Sequence, residues 1–272
     1  MYKRQFLRLR LLTGLSSTDL DRLLVTFWVE PVSPAPITID DAMLRNVTEA
    51  QALAKDLNLT VREVAGLFAN LDIHERWEKK SPYRQYFLNR LVDSPESTVF
   101  SAVLTTPAST AKLRLHKTAL QRALGITEKE LLLLVDEDTL AADLLLPSGQ
   151  LVVPDFLPEE AEEEEEEVEL AILPRVSALW RTVRFARALG LSVADYLVLR
   201  AHDPEAAHIG PGADPAKARA FVELVRDWKT QKLTVSEMQW VLRAFAPPGT
   251  RLALQDAGVE ALRSEITSAV AV

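Results

Sequence analysis

Residues 58–72 read NLTVREVAGLFANLD, and the first seven of them decide the fold. Asn58 is one of the few residue types that tolerate the left-handed backbone at which a helix stops. Thr60, followed three positions on by Glu63, starts the next helix. Its hydroxyl accepts one orphan backbone N–H while the carboxylate reaches back for another. Leu59, between stop and start, stands where a hydrophobic staple fixes the angle of entry. Val64, Leu67, Phe68 and Leu71 then fall at i, i+3, i+4 and i+7, the spacing of one buried helical stripe.

The same grammar recurs as GLSSTDL from Gly14, GITEKEL from Gly125, GLSVADY from Gly190 and KLTVSEM from Lys232. Four of the five copies place Gly or Asn at the helix stop, and Lys232 departs. The caps are Ser16, Thr60, Thr127, Ser192 and Thr234. Asp19, Glu63, Glu130, Asp195 and Glu237 stand three positions later, completing five expected capping boxes. The stripe repeats as Leu20/Leu23/Leu24/Phe27 and Met238/Val241/Leu242/Phe245, and in shorter form as Leu131/Leu134/Val135 and Tyr196/Leu199. Each unit reads as an αα-hairpin. Burying four such side chains is worth on the order of 6 to 12 kcal/mol gross, most of it offset by chain ordering, so the hairpins must stack to be stable.

None of the fifteen prolines falls in 6–28, 40–71, 111–136, 175–200 or 216–245, which marks those windows as helical and the gaps as connections. Successive caps lie 44, 67, 65 and 42 residues apart, too unequal for a regular solenoid. The expected fold class is all-α, an irregular array of stacked αα-hairpins with variable loops, with room for one short β-hairpin near 150–172 formed by Gln150–Val153 and Val168–Ile172. Units one to three occupy 6–150, an acidic low-complexity loop 151–174, and units four and five 175–272.

The formal net charge of −8 is concentrated: nine glutamates lie between Glu159 and Glu169, leaving the rest near neutral. Such a body has no basic field for phosphates, so nucleic acid is not an expected partner, and the glutamate run, expected to be disordered, repels anionic membranes. Without cysteine there is no disulfide framework, thiol nucleophile or thiolate metal site. No apolar run approaches the roughly 18 to 20 residues that span a bilayer. Arg8 and Arg10 break the only stretch resembling a signal sequence. The opening residues MYKRQ look like the in-frame translation of a transposon-end sequencing adapter. On that reading residues 1–5 are an artefact and the chain is a fragment.

Candidate chemistry is sparse. His74, His116, His202 and His208 are scattered, and the stretch His202-Asp203-Pro204-Glu205 to His208 reads as a surface loop rather than a rigid metal site. The chain carries no phosphate-cradling glycine loop, nucleophile elbow or HExxH helix. No catalytic residue, metal ligand or cofactor is expected. The densest aromatic and basic cluster, Tyr83 to Arg90, offers a grip for a carbohydrate or an acidic partner, but Tyr83, Tyr86 and Phe87 share one helical face and read as core. Trp28, Trp77, Trp180, Trp228 and Trp240 read as packing anchors.

Taken in order, LTGLSSTDLDRLL, LAKDLNLTVREVAGLFANLD, LQRALGITEKELLLLVD, FARALGLSVADYLVL and FVELVRDWKTQKLTVSEMQWVLRAF resemble the helical shell of the TcA subunit of ABC-type (Tc) insecticidal toxin complexes. SPYRQYFLNR stands where that family carries Tyr-x-x-x-Phe-Leu-Asn-Pro. Tyr83, Phe87, Leu88 and Asn89 agree, and Arg90 replaces the proline. The resemblance covers residues 6–150 and 170–260. It implies a non-catalytic slice of the shell that, in a pentamer, surrounds a translocation channel and delivers a toxic enzyme into host cells. The implied partners are other segments of the same large chain, neighbouring protomers of the homo-oligomer and, through the full-length protein, the toxin cocoon. It implies no direct membrane insertion by this segment, and synthesis in the bacterial cytoplasm before release or surface association. Two other readings compete with it: a freestanding helical scaffold that binds a protein, and, more remotely, a hydrolase using carboxylates between Asp203 and Asp214.

If Thr60 is an N-cap, Thr60→Ala costs about 0.5 to 2 kcal/mol in urea denaturation, whereas Ser192→Thr is nearly neutral. Equal and negligible effects would remove the capping assignment.

Overall fold

The computed structural model describes residues 2–28, 39–75, 80–89, 98–109, 111, 113–135, 171–202, 208–232, 234, 235 and 237. These residues are built almost entirely from eleven α-helices, and the fold is all-α. In chain order they are α1 (Tyr2–Thr13), α2 (Ser17–Thr26), α3 (Asp41–Asp56), α4 (Val61–Phe68), α5 (Pro82–Phe87), α6 (Thr98–Thr105), α7 (Lys117–Leu124), α8 (Glu128–Val135), α9 (Ile172–Ala188), α10 (Val193–His202) and α11 (Pro215–Thr230). A 3-10 turn, Leu113–His116, leads into α7. The expected β-hairpin and the glutamate run lie outside the described residues, as does the stripe from Met238. Ile172, expected at the end of a strand, instead opens α9, its N–H donating to Ser109 O at 2.9 Å.

The helix-to-helix junctions share one backbone device. Gly14, Asn58, Gly125, Gly190 and Lys232 all lie in the left-handed region, with φ of 67°, 52°, 63°, 64° and 58°. At three of them the next residue closes a bond five residues back: Leu59 N–H to Ala54 O, Ile126 N–H to Gln121 O and Leu191 N–H to Ala186 O. That is the Schellman pattern, which uses carbonyls a helix end would leave bare. Lys232 takes the left-handed conformation although its side chain disfavours it, because the next cap, Thr234, follows at the same distance as in the other copies.

The following caps divide by chain length. Thr60, Thr127 and Thr234 accept the N–H of Glu63, Glu130 and Glu237 at 3.2–3.3 Å. Each glutamate Oε2 takes the threonine backbone N–H in return, at 2.8, 2.9 and 2.7 Å. The two Ser/Asp copies correct the expectation of five reciprocal boxes. Ser16 and Ser192 do accept the N–H of Asp19 and Asp195, at 3.1 and 3.0 Å, but each aspartate takes the serine hydroxyl, at 2.7 Å, and not the serine backbone N–H. One methylene fewer leaves the carboxylate short of the backbone N–H. Further caps pair an N-cap with proline at the first helical position: Ser81 before Pro82, and Asp214 before Pro215.

The chain divides into two compact units, Met1–Glu223 and Leu224–Val272. Within the first, α3/α4, α7/α8 and α9/α10 pack as hairpins, and α2 lies against both α3 and α4. Hairpin four bridges two others: α9 packs on α4 and on α7, while α10 packs on α8. Gly66 of α4 makes the first of these contacts feasible, since a Cβ there would come within 2.7 Å of the Trp180 ring on α9. Leu20, Leu23, Val64, Leu67, Phe68, Leu71, Leu131, Leu134, Tyr196 and Leu199 are all buried. Arg22 ties α2 to the loop after α4 through Asp72 at 2.9 Å, and Arg219 ties α11 to α3 through Asp56 at 2.9 Å and Glu49 at 3.3 Å. By contrast, α1 has Leu7, Leu11 and Leu12 exposed at 53%, 83% and 85%. The second unit contributes the end of α11 and the Thr234–Glu237 box to the described residues.

Gly125 has room for a methyl group, its nearest outside atom lying 3.5 Å from an added Cβ, so Gly125→Ala isolates backbone strain. Thermal and urea unfolding should show a loss of about 1 to 2 kcal/mol, and Lys232→Gly a gain of about 1 kcal/mol. Two buried tyrosines give a second contrast. Tyr83 donates to Phe100 O at 3.0 Å, whereas the buried Tyr196 hydroxyl has no hydrogen-bond partner among the described residues. Tyr83→Phe should therefore cost about 1 kcal/mol and Tyr196→Phe be neutral or stabilising in the same assay. Equal losses would contradict the difference in pairing.

Candidate functional site

Polar groups of the first unit converge on α9. Its sequence, ILPRVSALWRTVRFARA, looks too basic for a central helix, yet Arg175, Ser177, Arg181 and Thr182 are buried with the apolar residues. Arg175 donates to Ala111 O at 2.7 Å, Arg181 to Ala69 O at 3.2 Å, and Arg187 to Leu124 O at 2.8 Å and to Gly125 O. Ala69 caps the C-terminus of α4, and Leu124 and Gly125 end α7. Arg181 and Arg187 thus bind carbonyls that two helices leave open, and Arg175 holds the segment before the 3-10 turn. Ser177 Oγ works in the opposite sense, accepting Leu71 N–H at 3.0 Å inside the core. Burial draws Arg181 down to about 10, so it still carries its charge at neutral pH.

One turn along α9, Arg184 reaches the start of α4 and pairs with Glu63 at 2.6 Å. Tyr86 of α5 donates its hydroxyl to the same Glu63 oxygen at 3.3 Å, and its ring meets Trp180 at 5.3 Å between centroids. A cleft of about 380 Å³ opens beside this junction, lined by Asp19, Thr60, Arg62, Glu63, Gln85, Tyr86 and Trp180 among others. It is the best candidate site among the described residues, and its electrostatics are those of a closed network. Burial tends to raise the Glu63 pKa, but the Thr60 N–H, the Thr60 hydroxyl and the Arg184 guanidinium outweigh it and hold the carboxyl below its ordinary value. Tyr86 moves up, first from burial and then from the neighbouring Glu63 charge, so it stays a protonated donor. A carboxylate has about four lone-pair positions. Those of Glu63 are taken by Thr60 twice, Arg184 and Tyr86. Both side chains are therefore engaged within one network that joins the start of α4 to α5 and α9.

The family-like segment is likewise occupied structurally. Tyr83 and Phe87 are buried and stacked at 5.3 Å, with Phe100 5.7 Å beyond Phe87. Leu88 is the C-cap of α5, and Asn89 donates to Gln85 O at 2.9 Å and Tyr86 O at 3.2 Å, closing that helix. Tyr86, expected to share the buried face, is only half-buried because it turns toward Glu63. His208 corrects the reading of its stretch as a surface loop: it is buried and stacks on Phe221 at 4.5 Å. Residues 203–207 lie outside the described residues, and Asp214, at the other end of the proposed hydrolase stretch, accepts Ala216 N–H as a helix cap. Trp180 is buried and Trp28 and Trp228 half-buried, while Trp77 and Trp240 lie outside the described residues. Among the described residues no group of three or more His, Cys, Asp or Glu side chains is placed to hold a metal ion, and no helix is long and apolar enough to cross a membrane.

The arginines of α9 are what residue patterns miss. Their partners are backbone carbonyls far away in sequence, and only the excess of arginine on a helix with so little exposed surface hints at them.

Because the folded pKa of Glu63 is depressed, its contribution to stability is present above the unfolded value of about 4.3 and is lost as pH falls through the lower folded value. Glu63→Gln should cost about 1 to 2 kcal/mol at pH 7, and its gap from the parent should narrow at pH 3. A gap independent of pH in urea titrations would place the loss in geometry rather than charge.

No family model matches this chain, and no curated protein matches it.

Proposed function

We propose that this chain is a non-catalytic piece of the helical shell of a TcA-type toxin-translocating subunit. The observation that carries this reading is the five-fold junction: a left-handed residue, a small aliphatic residue and a cap with an acid three positions on, in the same order as the segments that resemble the shell. Support also comes from the Tyr83, Phe87, Leu88 and Asn89 segment, whose residues close and bury a short helix between hairpins two and three. The saturation of Glu63 favours a scaffold over an enzyme, since in this cleft Glu63 and Tyr86 are already committed to one another and to Arg184. The outward leucines of α1 suit a segment that packs on further protein. On this reading the chain works as a rigid wall of the delivery vessel. Its partners are other parts of the same large chain, neighbouring protomers and, through the full-length protein, the toxin cocoon.

Long-read sequencing of the source locus across both ends of the reading frame tests the proposal. The expected result is a frame that runs on upstream of Phe6 and downstream of Val272 into more helical shell and a pore-forming region. A ribosome-binding context at Met1 with a stop directly after Val272 would overturn it in favour of a freestanding scaffold.

A further inference from the structure

We draw no further inference here: the strongest candidate, the outward face of α1 formed by Leu7, Leu11 and Leu12, is an unpartnered apolar surface and nothing in the structure shows what covers it.

Discussion

Unpaired backbone groups at helix ends are the constraint on which this structure depends. A helix leaves four N–H groups and four carbonyls without partners inside it, whatever its length. In helices as short as α4, α7 and α8, with eight residues each, those ends make up most of the element. Burying such ends without partners would cost more than the apolar stripes return, because each unsatisfied buried group loses on the order of 1 to 3 kcal/mol. The chain answers with three devices: a left-handed residue that folds the last turn back on itself, a hydroxyl or carboxylate that caps the first turn, and arginines sent from another helix.

The third device makes α9 the organising element of the first unit. Four arginines and a serine on this one helix engage Ala111, Ala69, Glu63, the end of α7 and Leu71, so its position is set by directional bonds as well as by apolar packing. Guanidinium suits the task because its several donors can reach more than one carbonyl, and it remains charged where a lysine would be easier to neutralise. The carbonyls of Ala69, Leu124 and Gly125 carry the partial negative charge of helix C-termini, which favours a cation there. Since α9 meets α4, α6, α7 and α10, loosening it would loosen hairpins two, three and four together.

The same economy accounts for the protonation states of Glu63 and Tyr86 in the cleft. Active sites leave a carboxylate or phenol under-coordinated and shift its pKa toward the working pH. Here Glu63 is driven away from neutrality by donors from its own cap and from α9, and Tyr86 is driven up, so both become more inert. Tyr83 follows the same direction, with burial raising its pKa while its hydroxyl serves the Phe100 carbonyl. These described polar groups hold short helices in register.

Sequence by itself determined the features whose partners lie within about a turn. The left-handed stops, the caps, the apolar stripes and the all-α class were legible because a residue and the group it satisfies sit three to five positions apart. Even the split between reciprocal Thr/Glu boxes and one-sided Ser/Asp caps follows from side-chain length, although the five copies share one spacing. Tertiary structure alone decided that hairpin four bridges hairpins two and three, that Gly66 admits Trp180, that His208 is buried, and that the arginines of α9 close other helices. Arg181 and Ala69 are 112 positions apart, Ser177 and Leu71 106, Arg187 and Gly125 62. Bonds over such separations leave no periodicity in the chain, because any carbonyl looks alike in sequence and only packing selects which one an arginine meets.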